Sequence, residues 1–76
     1  MPHFRELPYD IQQSLPVISY SVHLYAAEPS HRMVKIDGRV RREGDTVKPG
    51  LVLKEITPTG AIFSYRDNIF RVPVNG

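Results

Sequence analysis

Proline and glycine punctuate this chain at close intervals, and between them the side chains alternate. Seven prolines and five glycines fall among 76 residues. They break the chain into segments too short for long helices but long enough for strands. Asp37-Gly38 is the sharpest of these marks. It separates Arg32-Met33-Val34-Lys35-Ile36 from Arg39-Val40-Arg41-Arg42. A two-residue hairpin loop of type I′ needs positive φ at both positions, and Asp-Gly supplies it. Glu43-Gly44-Asp45, Lys48-Pro49-Gly50, Thr57-Pro58-Thr59-Gly60 and Arg66-Asp67-Asn68 mark further turns.

Val17 to Tyr25 carries the clearest strand pattern. Ile18, Tyr20, Val22 and Leu24 alternate with Ser19, Ser21 and His23. Leu51 to Ile56 is also apolar but does not keep one parity, which predicts a bulge or face change near Lys54. Ala61–Tyr65 and Ile69–Val74 complete the strands, and Pro73 places the end of the last one at an edge. Before them, Leu7, Ile11 and Leu15 recur every fourth residue, with Pro8 opening and Pro16 closing a short helix over 7–16.

The fold class that follows is mostly β. We expect a small six- to seven-stranded antiparallel sandwich or partly open barrel with one short N-terminal helix. Residues 1–6 read as a tail and 7–76 as a single domain. The expected core is Leu15, Ile18, Tyr20, Val22, Leu24, Val34, Ile36, Val40, Val47, Leu53, Ile56, Phe63, Phe70 and Val72. A chain this short buries only about 60% of its unfolded surface, so its stability should be modest. Without cysteine it has neither a disulfide nor a thiolate metal site.

Little in the sequence points to catalysis. His3, His23 and His31 lack metal-ligand spacing, and His23 falls on the polar side of its strand. Asp37, Glu43, Asp45 and Asp67 lie at turns, where carboxylates hold turn amides. No nucleophile elbow or phosphate loop is present. We therefore expect no enzyme, no cofactor and no metal. Apolar runs are far shorter than the roughly 20 residues of a membrane span, and no signal pattern opens the chain. Met1 reads as the start of an expressed fragment.

Charge is uneven. Residues 1–31 are net −2, and 43–76 are balanced. Residues 32–42 set Arg32, Lys35, Arg39, Arg41 and Arg42 against Asp37, a net of +4. A small basic β-barrel binding nucleic acid or another polyanion is the alternative function this suggests, although most aromatics sit at core parity. The stronger reading is a strand edge. Val17–Tyr25 is long and uncharged at neutral pH, with no internal proline or glycine to block pairing. Left unpaired, it would accept a strand from a partner; the same edge could pair with its own copy in a weak C2 homodimer. The competing expectation makes this strand central and paired on both flanks.

Several runs together carry a family resemblance. They are Leu7-Pro8, Ile11-Gln12-Gln13-Ser14-Leu15-Pro16, Ser21-Val22-His23-Leu24-Tyr25, Arg32-Met33-Val34-Lys35-Ile36-Asp37-Gly38, the stretch from Gly50 to Tyr65, and Phe70-Arg71-Val72-Pro73-Val74. The chain resembles the C-terminal periplasmic domain of the B component of bacterial type II secretion systems (the GspB/OutB/ExeB family). It is also similar to the homology-region (HR) domain of the C component and to the PilP domain of type IV pili. The resemblance implies a periplasmic, HR-like domain of a single-pass inner-membrane protein, here as a soluble fragment. It implies a scaffold that assists secretin assembly, working with a peptidoglycan-binding ATPase, the A component, through the full-length protein. The expected partner is the N0 domain of the outer-membrane secretin, with no nucleic acid. The residues expected to bind it are Ser19, Ser21, Val22, His23, Leu24 and Tyr25.

Overall fold

The computed structural model describes residues 1–74; positions 75 and 76 of the predicted domain lie outside the described residues. Seven strands form two antiparallel sheets. The first holds β1 (Tyr20–Leu24), β2 (Met33–Ile36) and β3 (Arg39–Arg41) in that order. The second holds β4 (Thr46–Lys48), β5 (Leu51–Thr57), β6 (Gly60–Tyr65) and β7 (Asn68–Pro73), also in sequence order. Most connections within a sheet are tight turns between neighbours; the link from β1 to β2 is longer and carries a 3-10 turn at Pro29–His31, and Glu43-Gly44-Asp45 carries the chain from the first sheet to the second. The mostly β sandwich with one short helix is what the pattern predicts.

The turns form for local reasons. Asp37 and Gly38 have φ of 53° and 81°, the left-handed pair that a two-residue hairpin needs. Arg66 and Asp67, at 48° and 65°, build the same turn without a glycine. Asn68 Nδ2 holds it by donating to the Tyr65 and Arg66 carbonyls at 3.2 and 2.9 Å. The irregularity expected near Lys54 is a bulge: Leu53 pairs with Phe63 and Glu55 with Ile62, so Lys54 is skipped. It lets Leu51, Leu53 and Ile56 all face inward despite their mixed parity.

The core is the space between the sheets. Val34 and Ile36 meet Leu51, Leu53, Ile56, Phe63 and Phe70, all essentially sealed from water, and the two phenylalanine rings stack 6.1 Å apart. Leu7, Leu51, Ala61 and Tyr65 join this core although sequence parity did not select them. Leu15, Ile18 and Tyr20 are half-buried against it. Three expected core residues are on the surface instead: Val22 is 44% exposed, Leu24 51% and Val40 50%.

The predicted helix is shorter than its proline brackets: α1 spans Tyr9–Ser14. Six residues cannot hold a helix alone. Gln12 Nε2 donates to the Leu7 carbonyl at 2.7 Å, and the Tyr65 hydroxyl donates to the Ser14 carbonyl at 2.9 Å, docking both ends. The segment 1–6, read as a tail, carries a 3-10 turn at Phe4–Glu6. Arg71 N–H donates to the Pro2 carbonyl at 2.9 Å, and Phe4 packs on the core.

Candidate partner-binding edge

A two-sheet sandwich has four edge strands, here β1, β3, β4 and β7. Three are guarded. β3 is three residues long and carries Arg39 and Arg41; β4 is equally short and ends on Lys48. β7 contains Pro73 and is crossed by the N-terminal segment through a bridge between His3 and Arg71. Among the described residues β1 pairs with β2 alone, and it has no Lys, Arg, Pro or Gly. The expectation that this strand is paired on both flanks is therefore corrected, and the open-edge expectation agrees with the strand order.

Its side chains point opposite to the simple alternation. Tyr20 pairs with Ile36, but Val22 pairs with Lys35, so one extra residue at Ser21 bulges the strand. A one-residue slip exchanges faces. Before the bulge Tyr20 faces inward as predicted. After it His23 faces inward, while Val22 and Leu24 face out. Two contacts to the second sheet fix this arrangement. The Tyr20 hydroxyl donates to the Val72 carbonyl at 3.0 Å. His23 Nε2 lies 2.9 Å from both the Thr57 and Gly60 carbonyls. Both partners are acceptors, so Nε2 carries a proton and donates to them. Burial pushes the Tyr20 phenol well above its ordinary value.

The outer face of the first sheet consequently carries exposed apolar side chains around Lys35. The ladder sets Val22 beside Lys35 and Lys35 beside Val40, and it sets Leu24 beside Met33. Among the residues expected to bind, Val22, Leu24 and Tyr25 are exposed on or just past β1, and His23 is half-buried beneath it. Ser21 Oγ donates to the Lys35 carbonyl at 3.3 Å, and the Ser19 carbonyl accepts from Asp37 N–H at 3.4 Å. Met33, Lys35 and Val40 share this surface without having been singled out. The Asp37-Gly38 turn contained the signal, because a two-residue loop fixes which residues oppose one another.

Beyond Leu24 the chain is clamped. Arg32 Nε donates to the Ala26 carbonyl at 2.6 Å, Nη1 pairs with Glu43 at 3.0 Å, and the guanidinium lies 4.6 Å from the Tyr25 ring centroid. Glu43 also accepts from Ile56 N–H at 2.8 Å, joining the two sheets. Its hydrogen bond to the Glu43 carboxylate holds the Arg32 guanidinium even more firmly in its charged form. Arg42 donates to the Ser30 and Arg32 carbonyls. Arg32 and Arg42, two of the five cations in the basic run, are thus held on the protein's own backbone, and Arg41 makes a longer contact of 3.5 Å to the Val47 carbonyl. Glu43 binds Arg32 and a strand amide instead of the turn amide expected of it; Asp45 keeps the turn role by accepting from Arg42 N–H at 2.8 Å. Among the described residues, no three His, Asp or Glu side chains are grouped to hold a metal ion, and no helix is long and apolar enough to cross a membrane.

Residues 15–74 match the family model of type II secretion system protein B. General secretion pathway protein B of Dickeya dadantii (strain 3937) is 39% identical over 56 residues, covering 74% of this chain and 26% of that protein. The Klebsiella pneumoniae protein of the same name is 30% identical over 59 residues, covering 78% of this chain and 34% of its own length. The crystal structure of Dickeya dadantii GspB from the type 2 secretion system matches with a TM-score of 0.74 and 37% identity, over 79% of this chain and 71% of that one. The chain spans about a quarter to a third of the length of these curated relatives.

Fold and likeness together define a β-sandwich domain from a component of a protein-secretion machine. The chain belongs to the type II secretion system protein B family.

Proposed function

We propose that this domain is a non-enzymatic docking module that adds a strand of a partner to β1. The partner is the periplasmic N0 domain of the outer-membrane secretin, and the domain helps tie that secretin to the inner membrane during assembly. The observation that carries this reading is the unguarded β1 edge, whose exposed Val22 and Leu24 would face alternate side chains of an added strand. The family's place in type II secretion supports the choice of partner. One added strand gives a small interface, so a single contact is weak, and several tethered copies around a secretin ring would raise its effective strength. The A component is engaged by other parts of the full-length protein.

The test is an edge guard placed by mutation. Val22→Lys and Leu24→Lys put charge on exposed positions, so folding stability should change by less than about 0.5 kcal/mol. Titrating each 15N-labelled variant with a secretin N0 domain should show affinity reduced about tenfold or more against the unmutated domain. Unchanged affinity in both variants would exclude β1 as the docking edge. No binding by the unmutated domain would remove the secretin partner. Sedimentation of the domain at high concentration separates partner docking from self-pairing of the same edge.

A further inference from the structure

The edge opposite β1 in the first sheet holds a different feature. Arg39 and Arg41 lie two residues apart on β3, on the side that faces the second sheet, because they pair with the buried Ile36 and Val34. With Ile36, Asp37, Val47 and Lys48 they line a cleft of about 270 Å³ between the β3 and β4 edges. Lys48 is already paired with Asp37 at 3.2 Å, and neither arginine has a carboxylate within ion-pair distance among the described residues. Two unneutralised guanidinium groups therefore share one cleft.

Arg41 is the telling member. Its Nε is shielded from water and has no hydrogen-bond acceptor among the described residues. Its Nη2 reaches only the Val47 carbonyl, at a long 3.5 Å. Buried donors in folded proteins almost always find partners, because an unmet one carries its full desolvation penalty. A guanidinium offers Nε and Nη2 as a planar fork that matches the two oxygens of a carboxylate. From this we infer that the β3–β4 cleft is a carboxylate-binding site, with Arg41 as the fork and Arg39 as the second cation. To take the ligand the Arg41 head swings toward the mouth of the cleft, which its long contact to Val47 scarcely opposes. Inward-facing charge on an edge strand also deters edge pairing. That role needs only a cation, and lysine would fill it; it does not call for a fork with an unfilled donor.

The side-chain Nε–H signal of Arg41 in 15N spectra reads the site directly. At constant ionic strength, sodium acetate should shift that signal saturably with an affinity on the order of millimolar, as expected for so small a ligand. Arg41→Lys should abolish saturable shifts of the neighbouring Val47 and Lys48 amides, and Arg41→Met should leave the urea midpoint unchanged or higher. A capped Gly-Asp-Gly peptide that binds more tightly than acetate identifies the carboxylate as one carried by a protein partner; equal binding identifies a free anion. The inference is overturned by an Arg41 signal indifferent to both probes, by tighter binding of phosphate than of acetate, or by acetate binding that survives in Arg41→Lys. A large fall in stability of Arg41→Met would also overturn it, since Arg41 would then already be satisfied in the fold.

Discussion

At the scale of single residues, the side chains that matter most reach from one sheet to the backbone of the other. Tyr20, His23 and Glu43 each do so, and their partners are backbone carbonyls or an amide of the second sheet. Tyr20→Phe keeps the ring and removes the bond to the Val72 carbonyl, which should cost about 1 kcal/mol at neutral pH. That difference should narrow under alkaline conditions. The unfolded chain's tyrosine ionises near its ordinary value of about 10, while burial holds the folded phenol protonated to higher pH. The unfolded state therefore loses the proton first, and Tyr20's contribution to stability declines as pH rises above about 10. Urea midpoints of both chains between pH 8 and pH 11 check this: a gap that widens with pH would contradict the placement of Tyr20. His23 shows how a residue's role depends on its address. As a polar residue in an alternating run it reads as solvent-facing, yet two stacked carbonyls capture its Nε2.

At the scale of elements, bulges decide what each strand presents. The one at Ser21 turns Val22 and Leu24 outward and makes β1 a surface; the one at Lys54 turns Ile56 inward and makes β5 a core strand. The start of β6 is held as tightly. Gly60 opposes Pro73 in the ladder, and a Cβ there would lie 2.8 Å from the Pro73 Cα, a backbone atom that cannot rotate away. Gly60→Ala should cost about 1–3 kcal/mol through this overlap, read as a lower thermal midpoint. It should also disturb the Gly60 carbonyl that His23 holds, so the His23 ring signals should move with it. A midpoint equal to that of the unmutated domain would mean that β7 lies farther from β6 than described.

At the scale of the whole molecule, one small core supports every surface discussed. For 76 residues, total stability is of the order of 4–11 kcal/mol. Phe63 is fully buried against Phe70, and Phe63→Ala should cost about 3–5 kcal/mol. Loss of near-UV circular dichroism and of NMR dispersion would report the expected collapse of fixed packing; a well-dispersed spectrum with an unchanged midpoint would contradict this core. Much of this architecture was legible beforehand. Asp37-Gly38, the proline brackets around α1 and the broken parity before Ile56 act through local dihedrals and side-chain period, which need no distant partner. The same reasoning misplaced Val22, Leu24 and Val40 and missed the inward turn of His23. Parity assumes an unbroken ladder, and the bulge at Ser21 is stabilised by groups more than thirty residues away, as the His23–Thr57 contact shows. What the amino-acid order determined alone was where the chain turns and which stretches extend. Which strand ends a sheet, which face it shows and which arginines share a cleft were decided only by tertiary structure, because each depends on pairing between segments distant along the chain.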